Sequence, residues 1–399
     1  MPKTAKSVLQ PLDRSINLES LGETAARLES LMSNLREQIT TPQPRKDPPM
    51  YTSSEVANLC RMDRTRFNYL LSKEETLPTG ESRGNGRARL FTLEEARAWV
   101  IAHAGFGQRP EALPGRTLVS ANFKGGSAKT TTAMSLAQAL TLRGRKVLLI
   151  DVDPQASLTE LCGVYTDKDV QESDTVMPFI YEPDPRNLSE CIHSTYWDGL
   201  DVIPAHPSLF AAEFQIPAMI KNDPGAQFWM LLDKGIAPLK PRYDYILIDT
   251  APSLSYLTIN ALMASDALIM PLVPESLDFI SSVSFWSLFS DLTASFAEHG
   301  QQKTFDFVSV LLSKVDYTPS SSSSTVRNWI KRAYGDWVES IEVPASSAMS
   351  NSGLAISTVF DLSGSDINRR TLARVRDPLV AYADWIDQYY MGRWKQGES

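Results

Sequence analysis

From residue 116 onward, short apolar runs alternate with stretches whose apolar positions recur at helical spacing. The runs Thr117–Ala121, Val147–Asp151, Tyr245–Asp249, Ala267–Pro271 and Phe307–Leu312 are five or six residues long and largely apolar. Strands without a polar face are buried on both sides, which predicts an α/β fold with a parallel sheet flanked by helices. After the first run, Met134, Leu136, Ala137 and Leu140 mark a helix. Near the start, Leu18, Ala25, Met32 and Ile39 recur every seven residues, with Leu21, Leu28 and Leu35 as a second series. Such an a/d seam suits either a dimerising coil or an amphipathic helix packed on its own chain.

Proline and glycine divide the chain. Thr41–Met50 holds Pro42, Pro44, Pro48 and Pro49, and Gly105–Gly115 holds Pro110 and Pro114. Neither stretch suits a helix or a central strand. The expected units are therefore 1–49 (dimerisation helix and linker), 50–104, a linker at 105–115, and 116–399. Ser320–Ser324 is expected to be a loop.

Composition narrows the class. A chain of 399 residues exceeds one ordinary core, and 43% hydrophobic with 22% charged residues is globular. Cys60, Cys162 and Cys191 form no C-x-x-C pair and the four histidines are scattered, so neither disulfides nor zinc are expected. No signal-like or membrane-length apolar stretch is seen, so a soluble cytoplasmic protein with no membrane partner is expected. The net charge of −8 leaves nucleic-acid binding to the placement of the bases.

The candidate chemistry begins at Lys124-Gly125-Gly126-Ser127-Ala128-Lys129-Thr130-Thr131. This glycine loop follows the first apolar run and opens the helix, which is the order of a phosphate cradle. Glycines let the backbone curl around phosphates while helix-start amides face the anion. Lys129 would bring charge to the β- and γ-phosphates, and the Thr130 hydroxyl would ligate Mg²⁺. Val147-Leu148-Leu149-Ile150-Asp151-Val152-Asp153-Pro154-Gln155 ends a strand in two carboxylates, where α/β sheets bind ligands. Tyr245-Ile246-Leu247-Ile248-Asp249 ends in a third, suited to Mg²⁺ through water.

A lysine leading a Gly-Gly pair, with Phe123 and Ala128 where the standard loop has glycines, resembles the deviant Walker A ATPases. These include ParA, MinD, the nitrogenase iron protein and the arsenite ATPases. The resemblance implies that Lys124 reaches the partner's phosphates across a nucleotide-sandwich homodimer. It also implies that Asp153 positions the attacking water, Asp151 supports the metal's shell and Asp249 holds Mg²⁺. Ser313-Lys314-Val315-Asp316 is similar to a guanine motif but lacks its asparagine. The resemblance therefore implies ATP/ADP, with Pro344 lining the base and Ala345 replacing an arginine common among relatives. Acids in the tail (Asp384, Asp387), unsuited cysteines and a single P-loop separate the chain from the other groups and leave the ParA type.

Residues 50–104 add a second pattern. Thr52-Ser53-Ser54-Glu55-Val56-Ala57 reads as a capped helix, Met62-Asp63-Arg64-Thr65 as a turn, and a further helix runs through Leu71. Ser82–Phe91 reads as a hairpin on Asn85-Gly86, and Thr92 caps another helix. This order resembles a MerR-like winged helix-turn-helix. Seven bases (Arg61, Arg64, Arg66, Lys73, Arg83, Arg87, Arg89) face four acids (Asp63, Glu74, Glu75, Glu81) there. Arg64, Thr65, Arg66, Arg83, Arg87 and Arg89 are the expected contacts to operator DNA. Arg327, Lys331 and Arg332, then Arg369, Arg370, Arg374 and Arg376, are the expected contacts to nonspecific DNA.

The expected function is that of a long plasmid-type partition ATPase. ATP would close a dimer that binds nucleoid DNA, a ParB-like centromere-binding partner would stimulate hydrolysis, and the winged helix would autoregulate the operon. The alternative is chiefly a nucleotide-responsive transcriptional repressor.

Overall fold

A computed structural model describes residues 21–28, 30, 31, 34, 46–83, 88–181, 188–298, 300–318, 322–346, 356–362 and 367–398, with the backbone alone at Arg83 and Ala88. The chain forms two units, Met1–Lys46 and Asp47–Ser399. In the first, residues 21–28 are helical, and Leu21 and Leu28 stand half exposed. The seam positions Leu18, Met32, Leu35 and Ile39 lie outside the described residues.

The second unit opens with β1 (Tyr51–Thr52), α1 (Ser53–Leu59), α2 (Arg64–Leu71), β2 (Glu81–Arg83), β3 (Ala88–Phe91) and α3 (Leu93–His103). The strands pair antiparallel in the order β1-β3-β2. Thr52 and Thr92 each close a capping box, with Glu55 and Glu95, which fixes where α1 and α3 begin. Phe67, Phe91 and Trp99 are fully buried between these elements.

The main sheet comprises β4 (Arg116–Ser120), β5 (Val147–Asp151), β6 (His193–Ser194), β7 (Leu200–Ile203), β8 (Tyr245–Asp249), β9 (Ala267–Leu272), β10 (Val308–Val315) and β11 (Val338–Pro344). Their order is β11-β10-β9-β4-β8-β5-β7-β6, parallel except for the edge strand β6. The principal helices are α4 (Lys129–Thr141), α5 (Ala212–Asn222), α6 (Tyr256–Ala264), α7 (Ser276–Glu298), α8 (Ser322–Tyr334) and α9 (Arg369–Lys395).

Strand side chains alternate between two apolar cores. Leu118, Leu149, Leu247 and Ile269 pack with α4, α9 and the helices before β4. Val119, Leu148, Ile150, Ile246 and Ile248 pack with α5, α6, α7 and α8. The five expected apolar runs are all strands, within one to three residues. Three strands escaped the pattern: β6 is only two residues long, β7 has four residues and includes Asp201, and β11 is an edge strand broken by Glu339 and Glu342. The serine tract also differs from expectation, because Ser322–Ser324 form the first turn of α8. Serine suits a helix start, where its hydroxyl competes well for free amides. Among the described residues no helix is long and apolar enough to cross a membrane.

Candidate nucleotide-binding site

Strand register builds the site. Ser120 pairs with Asp249 across β4 and β8, and Asp249 with Asp151 across β8 and β5. The glycine loop leaves β4 at this level, so the loop and the carboxylates share one edge of the sheet.

The loop is held from its neighbours. Asn122 Nδ2 donates to the Pro271 carbonyl at 2.8 Å, and its Oδ1 accepts the Lys124 amide at 3.3 Å. Gly126 (φ 77°) and Ala128 (φ 73°) both adopt left-handed backbone. At Ala128 that conformation costs about 1 kcal/mol, which explains why glycine is usual there. Among the described residues no side chain caps α4, so its first amides are left for an anion. Gly125 is exposed, Thr130 and Thr131 are half-buried, and Lys129 is buried. Lys129 Nζ donates to the Lys124 carbonyl at 3.2 Å. Burial lowers its pKa, opposed by the charges of Asp249 and Asp153.

The three carboxylates differ in occupation. Asp151 Oδ2 accepts from the Thr159 amide (2.9 Å) and hydroxyl (2.8 Å), and Oδ1 from the Asp153 amide (3.1 Å). Its carboxyl is pushed up to about 7, by burial above all and against those hydrogen bonds. Asp153 uses Oδ1 to accept the Gln155 amide at 3.0 Å. Asp249 is fully buried, and among the described residues the Thr130 side chain is its one hydrogen-bonding neighbour. Burial first, then the Asp151 charge, pushes it up to about 8, while Thr130 and Lys129 act the other way. A fully buried carboxylate with so few donors is costly, and a cation beside Thr130 would offset that cost.

Two further residues brace the loop, and sequence reading had considered them only for the base. Ser313 Oγ donates to the Ser127 carbonyl at 3.0 Å, and Lys314 Nζ to the Gly126 carbonyl at 2.7 Å. Their position at the end of β10, two strands from β4, was the missing information. Beside them, Lys314 and Asp316 line a cavity of about 380 Å³ with Pro274, Glu275 and Leu277. Pro344 is buried at the end of β11, where the Ala345 amide donates to the Val315 carbonyl at 3.0 Å.

The expected DNA contacts fall into groups. Arg64, Thr65 and Arg66 are exposed in the first turn of α2, whose cap Asp63 accepts the Arg66 amide at 2.8 Å. Arg89 donates to the Thr79 carbonyl at 2.7 Å. Arg87 lies outside the described residues, as does the Arg83 side chain. Arg327 and Lys331 both pair with Glu342, at 2.8 and 3.0 Å. Arg376 donates to the carbonyls of Val359 (3.0 Å) and Leu362 (2.6 Å), whereas Arg332, Arg369, Arg370 and Arg374 are exposed.

Comparison with known proteins identifies the family and the fold. A family model described as an AAA domain matches residues 115–293. A putative replication protein A of Rhizobium rhizogenes is 29% identical over 98% of this chain and 99% of its own length. Protein SopA of Escherichia coli K12 is 30% identical over 71% of this chain and 73% of its own. A solved partition protein superposes with a TM-score of 0.67 at 19% identity, over 93% of this chain and 98% of that one, a likeness of fold. Cobyrinic acid a,c-diamide synthase from Mycobacterium smegmatis, with bound ADP and magnesium, gives 0.54 at 27% identity over 71% of this chain and 97% of that one.

Proposed function

The chain belongs to the ParA-type family of partition ATPases, and on that premise we propose that it is an ATP-driven switch for DNA segregation. One observation carries the reading: register sets the buried Asp249 beside Asp151 and level with the end of β4, and Lys129 at the start of α4 feels the charges of Asp249 and Asp153. Its ligands are ATP or ADP with Mg²⁺. Loop amides and Lys129 hold the β- and γ-phosphates, and Gly125, Gly126, Ser127, Ala128 and Thr131 shape the cradle. Thr130 and Asp249 hold Mg²⁺, whose charge shields the phosphates from one another. Asp151 supports that shell through the Asp153 amide, and Asp153 orients the attacking water with its free oxygen. Pro344 lines the base.

ATP closes a homodimer in which Lys124 reaches the partner's phosphates. The α7 face beside the site supports this, since Leu277, Ile280 and Val283 are 69%, 60% and 51% exposed. The dimer binds nucleoid DNA without sequence preference, and a ParB-like centromere-binding partner stimulates hydrolysis and release. Exposed Arg370 and Arg374 are the preferred contacts. Arg327, Lys331 and Arg376 are already engaged by protein groups and contribute less. Arg64, Thr65 and Arg66, with the wing arginines Arg83, Arg87 and Arg89, read the operator.

The alternative, a nucleotide-responsive repressor, is favoured by one observation. Phe67 and Trp99 belong to the same apolar core as Leu118 and Met134, so the two parts are packed together. ATP turnover with and without partner and DNA separates the readings. Asp153→Ala retains MgATP binding, turns over roughly a hundredfold more slowly and persists as a dimer. Normal partner-stimulated turnover in that variant rules Asp153 out as the water-positioning group.

A further inference from the structure

The helix that begins at the nucleotide loop ends against the amino-terminal part of this unit. Lys129 and Thr130 open α4 and Thr141 closes it. Thirteen residues at 1.5 Å each make the helix about 20 Å long. At its far end the Arg97 side chain, from α3, is buried. Arg97 Nε donates to the Thr141 carbonyl at 2.8 Å, and Nη2 to the Arg145 carbonyl at 3.0 Å. Its remaining nitrogen pairs with Asp198. Gly199 has φ 76°, and a Cβ there would collide with the guanidinium, so the backbone is shaped around this side chain.

From Arg97 the link to α2 runs through the backbone of α3 itself. Trp99, two residues along α3, meets Phe67 of α2 with ring centroids 4.9 Å apart. Phe67 follows Arg66 directly, in the helix that exposes Arg64, Thr65 and Arg66. A second strut supports the seam: Arg61, in the α1–α2 turn, pairs with Asp384 of α9, as does Arg143 just after α4.

We infer that Arg97 is a positioning residue that transmits the state of the nucleotide loop to α3 and thence to α2. A helix is stiff along its axis, so a shift of α4 when nucleotide engages its first turn is delivered to the groups that grip its last turn. A planar guanidinium holding two carbonyls and a carboxylate leaves little slack, which an ammonium on a flexible stem cannot reproduce. By linkage, whatever α2 binds must in turn alter nucleotide affinity by the same factor. The inference rests on the nucleotide site and not on what α2 contacts.

Amide hydrogen exchange on the full chain tests it, with and without saturating MgADP, so that no DNA is needed. In the wild type, MgADP slows exchange in Leu93–His103 and Arg64–Leu71 by roughly two-fold or more. Arg97→Lys still binds MgADP, but this difference falls to less than half. A purely structural role would raise the exchange of α3 in both states and leave the MgADP-induced difference intact. Should Arg97→Lys not fold, Asp198→Asn is read the same way, because it removes only the exposed partner. An undiminished difference in the variant, or none in the wild type, overturns the inference. Operator titration then reports separately on α2, so a failed DNA reading is not confused with failed coupling.

Discussion

Asp387 is almost fully buried and accepts four hydrogen bonds: Arg143 Nε at 3.0 Å, Arg145 Nε at 2.6 Å and Nη2 at 2.9 Å, and Tyr245 Oη at 2.9 Å. Burial alone would raise its pKa, but the Arg145 hydrogen bond and charge, with Arg143, outweigh this and hold it below the ordinary carboxylate value. Removing its charge leaves the buried Arg145 guanidinium without a carboxylate, while Arg143 keeps only Asp384. Asp387→Asn should cost about 3–5 kcal/mol and lower the thermal midpoint by roughly 4–7 °C at neutral pH. Because the folded value is the lower one, this stability is present above the unfolded carboxylate value of about 4 and is lost as pH falls through the folded value. The gap between wild type and variant, measured by thermal melts, should therefore narrow at acid pH. Equal midpoints at pH 7 would show that the pair is dispensable. At this scale the sequence was informative wherever one short string carries the chemistry, as with Lys129, Asp153 and Asp249. It offered Ser313 and Lys314 only for the base and was silent on Arg97, because the partners lie 188 residues away for Lys314 and 44 for Arg97.

Strands with no polar face announced themselves, and so did helices with a threonine cap. What remained hidden were elements whose stability is tertiary: β7 borrows β5, and β11 is an edge whose Glu342 is satisfied by Arg327 and Lys331. Those same ion pairs weaken the case for α8 as a DNA surface, although the periodicity of its bases is real. For α2 the opposite holds, since Arg64 and Arg66 in its first turn are exposed and no side-chain partner for them is seen among the described residues. Arg64→Ala with Arg66→Ala should weaken operator binding and flatten the slope of log affinity against log salt by roughly 0.9 per lost phosphate contact. An unaltered slope in a salt titration would assign α2 to protein contacts.

At the scale of the whole molecule, the order of strands and motifs was legible, because a parallel sheet with a glycine loop admits few arrangements. How the amino-terminal elements meet the ATPase core was not, since their shared core is made of residues that look like two separate ones in sequence. The nucleotide edge of the sheet has a further property that no single element shows. Asp278, in the first turn of α7, is buried and feels both Lys124 and Lys314, and its neighbour Leu277 lines one cavity with Lys314, which holds the Gly126 carbonyl. Leu277 and Ile280 are large apolar groups beside a charged site, a combination that suits an interface formed only when the nucleotide's charges are present. Leu277→Asp with Ile280→Asp adds two charges to that face without touching a core position. MgATP affinity should stay within about two-fold of wild type, because no phosphate or metal contact is altered. ATP-dependent dimerisation, read by light scattering in the Asp153→Ala background that slows turnover, should be lost, since two like charges from each copy would be buried against each other. A dimer that persists at the same protein concentration would move the interface away from α7 and leave Lys124 without the partner phosphate assigned to it.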